Sequence, residues 1–220
     1  MSIEKGILTY IVDANVLTWG TFPEEENVVK IGNYCSLAKG IKFYVDGNHR
    51  YDHASTFPFY ELGYTSEVKN KNCWGKGPPR VKNDVWIGND AVIMSGVTLE
   101  NGCIVGANSV VTKDVPPFAI VAGNPAKIVK YRFEESVREV LLETEWWDFP
   151  QDMVLKRLVP YQHDTEKFME EANRIKTEIE NTRNKKNQNI FQFLELFRQK
   201  FIKTFWNFLE KSSQKMFGRF

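Results

Sequence analysis

Cysteine is scarce and odd in number: Cys35, Cys73 and Cys103 are the only three in 220 residues. That speaks against a disulfide framework, and the spacing of a zinc site is missing, so no metal is expected. Histidine is as rare, with His49, His53 and His163 alone. Excess charge of one sign is lacking too. Lys and Arg total 29 against 28 Asp and Glu, a net charge of +1, which gives nucleic acid no general attraction. No apolar run approaches the ~20 residues of a membrane-spanning helix, and the start lacks the basic-then-apolar pattern of a secretion signal. A cytoplasmic location is the resulting expectation. Neither a Walker loop nor a dinucleotide glycine fingerprint occurs, so a phosphate-bearing ligand must be held some other way. What remains, 42% of it hydrophobic, is enough for one substantial core.

What is present is a period of six. From Val81 to Pro116 the chain reads VKNDVW, IGNDAV, IMSGVT, LENGCI, VGANSV, VTKDVP. The first position is aliphatic throughout: Val81, Ile87, Ile93, Leu99, Val105, Val111. The fifth is small or β-branched: Val85, Ala91, Val97, Cys103, Ser109, Val115. Neither the helical period of 3.6 nor the strand period of 2.0 holds such a phase. A short strand plus a corner per hexad, stacked so that each coil buries the next, does. Cys103, and Cys35 at the equivalent upstream position, then read as small core residues rather than reactive thiols.

The period returns upstream in IGNYCS, LAKGIK and FYVDGN (31–48), with Ile31, Leu37 and Phe43 in phase. Thirty-eight residues separate Phe43 from Val81, six hexads plus two, so residues 46–80 must leave the coil as an insertion. Long loops in compact domains are usually functional, and this one opens with Asn48-His49-Arg50-Tyr51-Asp52-His53. Residues 1–30 are poorly phased and suggest an irregular first coil. After Pro125 the hexads stop, and helices are expected over 133–145 and 153–158, the first with Val137, Val140, Leu141 and Leu142 on its apolar side. An open coil end exposes strand edges and needs a cap, for which 131–163 are the candidates.

The chain resembles the hexapeptide-repeat acyltransferases, and within them the xenobiotic acetyltransferase branch with its chloramphenicol, streptogramin and sugar acetyltransferases. The likeness rests on IGNYCSLAKG (31–40), NHRYDHASTFPF (48–59), NDVWIGNDAVIMSGV (83–97), VGANSVVTKDVPPFAIVAGNPAK (105–127) and RFEESVREVLLETEWWDFP (132–150). It implies a mainly β fold, a left-handed parallel β-helix over 1–130 followed by C-terminal α-helices. It further implies a homotrimer, acetyl-CoA as donor and a small-molecule acceptor, with a sugar or surface polysaccharide preferred over an antibiotic. A non-catalytic trimeric scaffold is the alternative of another class.

Acetyl transfer to a hydroxyl or amine requires removal of the acceptor proton, a task suited to an imidazole. In the NHR context of the resemblance, His49 takes that role. Asp52 either orients an imidazole, contacts the acceptor or simply turns the loop. Tyr34 is either an acceptor contact or a packed aromatic, and Phe57 either walls the acceptor pocket or anchors the loop. Matched by position, Trp86 flanks the pantetheine arm of the donor, Asn89 and Ala107 offer polar or backbone contacts, Thr112 and Lys113 lie further along, and Lys127 and Lys130 lie towards its nucleotide end. Each lysine has the alternative of a solvated surface charge, and for Lys130 the two readings weigh equally. A backbone N–H near Ser95-Gly96 is the candidate oxyanion donor.

The tail, 164–220, departs from the pattern. A charged, helix-permissive stretch leads into Ile190, Phe193, Leu194, Phe197, Phe201, Phe205, Phe208 and Leu209 at three-to-four spacing. Arg198, Lys200, Lys203, Lys211, Lys215 and Arg219 accompany them against Glu195 and Glu210. Such a helix suits a membrane interface, or packing on its own trimer as a further helix or coiled coil.

Overall fold

The computed structural model describes the backbone of residues 2–20, 22–66 and 73–217, and within those the side chains of all but Glu24 and residues 202–217. The chain forms two compact units, Met1–Val159 and Pro160–Phe220.

The first unit is mainly β. Its chain visits three sheets in strict rotation, each built of parallel strands. Face one stacks Ser2–Lys5, Val28–Ile31, Arg80–Val81 and Thr98–Leu99. Face two stacks Tyr10–Ile11, Ser36–Leu37, Trp86–Ile87, Ile104–Val105 and Ala119–Gly123. Face three stacks Ala14–Leu17, Ile41–Tyr44, Val92–Ile93 and Val110–Val111. Most strands are two residues long and would not persist alone. Each is held by ladder bonds to the coils above and below, and by the axis its inward residue fills. All twelve first- and fifth-position hexad residues from Val81 to Val115 are buried, with 4% exposure or less. The upstream Ile31, Cys35, Leu37, Ile41 and Phe43 complete the same core.

The corners explain how three short strands per coil can turn so sharply. Asp84, Asp90, Gly96, Gly102 and Asn108 occupy the fourth hexad position, and all have left-handed φ, between 54° and 73°. Glycine, asparagine and aspartate tolerate that region best. At the corner after face one a hydrogen-bonded asparagine ladder runs along the prism. Asn33 Oδ1 accepts the Ile7 N–H, Asn83 Oδ1 the Asn33 N–H and Asn101 Oδ1 the Asn83 N–H, at 2.8, 2.8 and 2.9 Å.

Two departures from the sequence reading stand out. Residues 1–30 make a regular first coil: Ser2–Lys5 pair in register with Val28–Ile31, Tyr10–Ile11 with Ser36–Leu37, and Ala14–Leu17 with Ile41–Tyr44. Its phase is hidden because residues 18–27 are inserted at the corner after face three. At the other end, Ala126–Tyr131 runs antiparallel to Ala119–Gly123, so the parallel coil closes in a hairpin before residue 130. A strand therefore covers the last edge of face two. Helix α1 (Glu135–Thr144), a short helical turn α2 (Gln151–Met153) and a π turn (Val154–Leu158) follow. The segment preceding and following α1 lies along the asparagine-ladder corner. Arg132 donates to Asp84 Oδ2 and to the Gly102 carbonyl, both at 2.8 Å. Asn33 Nδ2 donates to the Trp147 carbonyl at 3.0 Å, and Tyr34 packs on Trp146.

The second unit holds one long helix, α3 (Thr165–Phe217). Asp164 opens it: its carboxylate accepts the Lys167 N–H and ammonium, which holds its pKa below the ordinary value. Among the described residues no helix is long and apolar enough to cross a membrane.

Candidate active site

The insertion leaves the coil after Val45, at the corner following face three, and returns at Arg80. Its neck is an antiparallel pair, Asn48–His49 against Cys73–Trp74, with His49 opposite Cys73. Ser95, on the next coil, pins both ends of the neck. Its hydroxyl donates to the Val45 carbonyl at 2.7 Å and accepts the Lys76 N–H.

His49 is exposed on the wall of a pocket of about 510 Å³, shared with Trp19, Gly20, Gly47, Pro58, Tyr60, Glu61, Leu62 and Cys73. Its Nδ1 lies 2.7 Å from the Thr56 carbonyl. A carbonyl can only accept, so Nδ1 carries the hydrogen, and in the neutral ring Nε2 presents its lone pair. Thr56 thus orients the ring through its main chain, a partner that no side-chain pattern in the sequence reveals. Asp52 is engaged elsewhere. It pairs with Arg50, whose hydrogen bond holds the Asp52 carboxyl below its usual range.

Trp19 is the other unforeseen member. It belongs to the small insertion 18–27, and the carboxylate of Asp46, itself 2% exposed, fixes it from below. Asp46 accepts the Trp19 N–H at 2.7 Å and the Thr18 hydroxyl at 2.9 Å. The indole stacks on Tyr44 at 5.9 Å. Gly47 is required here: at φ 95°, a Cβ would come within 2.5 Å of the Trp19 ring. In the sequence only the out-of-phase TWG (18–20) marks this position, and nothing there links it to Asp46. Cys73 is half-buried, and burial followed by the nearby Glu61 and Asp46 pushes its thiol pKa up.

The remaining expected site residues spread over the prism. Phe57 sits against Phe59 and Tyr64, at 4.8 and 5.9 Å, and half its surface is open. Tyr34 occupies the asparagine-ladder corner, away from the insertion neck. Its hydroxyl is buried without a partner among the described residues, and burial raises its pKa. Trp86, 53% exposed, stands on face two in a registered outward row with Ile104, Ile120 and Lys130. Three strand steps place Lys130 roughly 14 Å from it. Lys127 lies on the same antiparallel strand. Asn89 and Ala107 are exposed on the corner after face two, where Asn89 Oδ1 accepts the Lys39 N–H at 3.2 Å. Thr112 and Lys113 are exposed at the corner above Ser95, on the edge that carries the insertion. The expected oxyanion donor fails in one respect: the Gly96 N–H is already given to the Gly77 carbonyl at 2.9 Å.

A parallel three-faced coil of hexads with a histidine-bearing insertion defines a class. The family model for the bacterial transferase hexapeptide (six repeats) matches residues 78–113. A chloramphenicol acetyltransferase of Klebsiella aerogenes is 44% identical over 137 residues, 58% of this chain and 64% of that protein. A probable macrolide acetyltransferase of Lysinibacillus sphaericus is 41% identical over 132 residues, 58% of this chain and 73% of that protein. Among solved structures, a hexapeptide-repeat acetyltransferase of Vibrio cholerae complexed with acetyl coenzyme A is 28% identical, with a TM-score of 0.44, covering 60% of this chain and 61% of that one. The chain thus spans a little under two thirds of the Klebsiella relative. It belongs to the hexapeptide-repeat acetyltransferase family, in the branch that holds these antibiotic acetyltransferases.

Proposed function

We propose that the protein moves an acetyl group from acetyl-CoA to a hydroxyl of a small acceptor, with His49 as general base. The observation that carries this is the Nδ1 bond of His49 to the Thr56 carbonyl, which leaves Nε2 as a proton acceptor in a pocket. The acceptor O–H gives its proton to Nε2 while its oxygen bonds to the thioester carbon. The tetrahedral oxyanion then collapses and expels the coenzyme A thiolate, which takes the proton back from the imidazolium.

The exposed indole of Trp86 and the exposed ammonium groups of Lys127 and Lys130 suit a long amide-bearing arm ending in phosphates. Lys113 lies on the insertion edge and the Trp86 row on another face, so one chain does not gather the donor set around His49. A trimer of left-handed coils, in which one copy's face two adjoins another's insertion, resolves this. A cytoplasmic setting suits the thioester donor.

Of the acceptors, a hydroxyl-bearing antibiotic is favoured. The relatives are named for chloramphenicol and a macrolide, and Trp19, Pro58, Tyr60 and Leu62 give the pocket wall an apolar share for such a ligand to pack on. A sugar is the second reading, supported by the Glu61 carboxylate on the same wall, an acceptor for sugar hydroxyls. Thiol release from acetyl-CoA with chloramphenicol, a streptogramin, a macrolide and a panel of hexoses tests the proposal. Turnover with a drug and not with sugars supports the first reading, the reverse supports the second, and no turnover with any leaves a scaffold in place of an enzyme.

A further inference from the structure

Helix α3 carries an exposed apolar surface that its own unit does not cover. Between Ile190 and Phe201, seven of twelve residues are large and apolar: Ile190, Phe191, Phe193, Leu194, Leu196, Phe197 and Phe201. All are exposed, Phe191 by 70% and Phe197 by 64%. At 100° per residue, all but Leu196 fall within an arc of roughly 160°. The polar residues of the segment, Gln192, Glu195, Gln199 and Lys200, lie outside it. Arg198 falls within the arc near one border, reaching Glu195 at 3.9 Å.

Two kinds of occupant fit an apolar helix face: a second helix or a lipid surface. A coiled-coil seam uses two positions in seven and must continue in register. Here the arc is broader than such a seam. One heptad before Ile190, Phe193 and Leu194, the same line of the helix presents Arg183, Lys186 and Asn187. In a symmetric bundle those cations would face their own copies. At a bilayer the same placement puts them level with the head groups while the aromatics enter the acyl boundary. Arg183, Lys185, Lys186, Arg198 and Lys200 stand against Glu195 alone over 183–201, which selects anionic lipid.

We propose that α3 binds the surface of anionic membranes, burying Ile190, Phe193, Leu194, Phe197 and Phe201 in the interface beneath a collar of basic side chains. The helix lies in the interface and does not span it. Phe205, Phe208, Leu209 and the basic residues Lys203, Lys211, Lys215 and Arg219, with Glu210, lie outside the described side chains.

The test is co-sedimentation of the full-length protein with vesicles of phosphatidylcholine alone and of phosphatidylcholine with about one third phosphatidylglycerol, alongside the mass of the assembly in solution. The protein binds the anionic vesicles, less at high salt, and leaves the neutral ones. Phe193→Ser with Phe197→Ser lowers the bound fraction about tenfold or more, and Lys185→Glu with Lys186→Glu does so only for anionic lipid. Neither pair changes the mass of the assembly. Wild-type protein remaining in the supernatant, equal binding to both lipids, or a smaller assembly in the phenylalanine variant each overturns the inference, the last by assigning the face to a second copy. Vesicle binding is read without turnover, so it stands or falls apart from the acetyltransferase reading.

Discussion

The Thr56 carbonyl sets which nitrogen of His49 is free, and one hydrogen bond therefore decides whether the ring can act as a base. His49→Ala removes the proposed base and leaves the coil untouched, because the side chain is exposed. Turnover should fall roughly 10²–10⁴-fold with little change in the KM for acetyl-CoA and an unaltered melting temperature, as steady-state kinetics and calorimetry would record. Asp46 acts one step away. It is buried and holds the Trp19 main chain and the Thr18 hydroxyl. Asp46→Ala leaves those donors without their acceptor, at a cost of about 1–3 kcal/mol, and loosens the indole. Thermal melting should show the loss, and kinetics a raised KM for the acceptor with the donor KM unchanged. An equal rise in both would separate Trp19 from the acceptor.

At the scale of the coil, inward and corner positions obey different rules. Val105 is fully buried, and Val105→Asp would place a carboxylate among aliphatic neighbours at a cost of several kcal/mol, enough to abolish soluble expression. Asn101 faces the corner, where its Oδ1 accepts the main-chain N–H and the side-chain amide of Asn83. Asn101→Asp keeps that acceptor and should melt close to wild type. Asn101→Leu deletes it and should lose about 1–3 kcal/mol. The segment before α1 is latched by Arg132 on Asp84, with each side chain about a quarter exposed. Burial raises the Asp84 pKa and Arg132 pulls it back. Arg132→Ala removes the restraint, so the folded-state pKa rises further and the ionised form becomes the unfavourable one. Stability of the variant should drop by about 2 kcal/mol at neutral pH and recover as the pH falls through that raised pKa. Melting curves between pH 4 and pH 8, against wild type, would show a difference that narrows towards acid.

For the whole molecule, the distribution of the expected donor residues argues for assembly. Trp86 and Lys130 share face two, whereas His49 hangs from the corner after face three. Light scattering at micromolar concentration should give three times the 25.6 kDa chain, and a fully active monomer would defeat the trimer. The lipid contact proposed for the tail would be a second tie, one that the solution mass does not report.

The sequence by itself determined the coil. A six-residue recurrence of buried and tolerant residues has one solution, because every first and fifth position must leave water together and every fourth must turn the chain. Even the fourth-position run of Asp84, Asp90, Gly96, Gly102 and Asn108 was there to be read as a row of left-handed corners. The insertion and its histidine were legible for the same reason, as the place where the phase broke. Only the tertiary structure decided what surrounds His49. Trp19 and Asp46 are 27 residues apart and meet through one hydrogen bond across stacked coils, and Thr56 contributes a carbonyl that any residue would carry. Hydrogen bonds to main-chain groups leave no trace in side-chain pattern, so the ring's orientation and the pocket's wall had to wait for the folded chain.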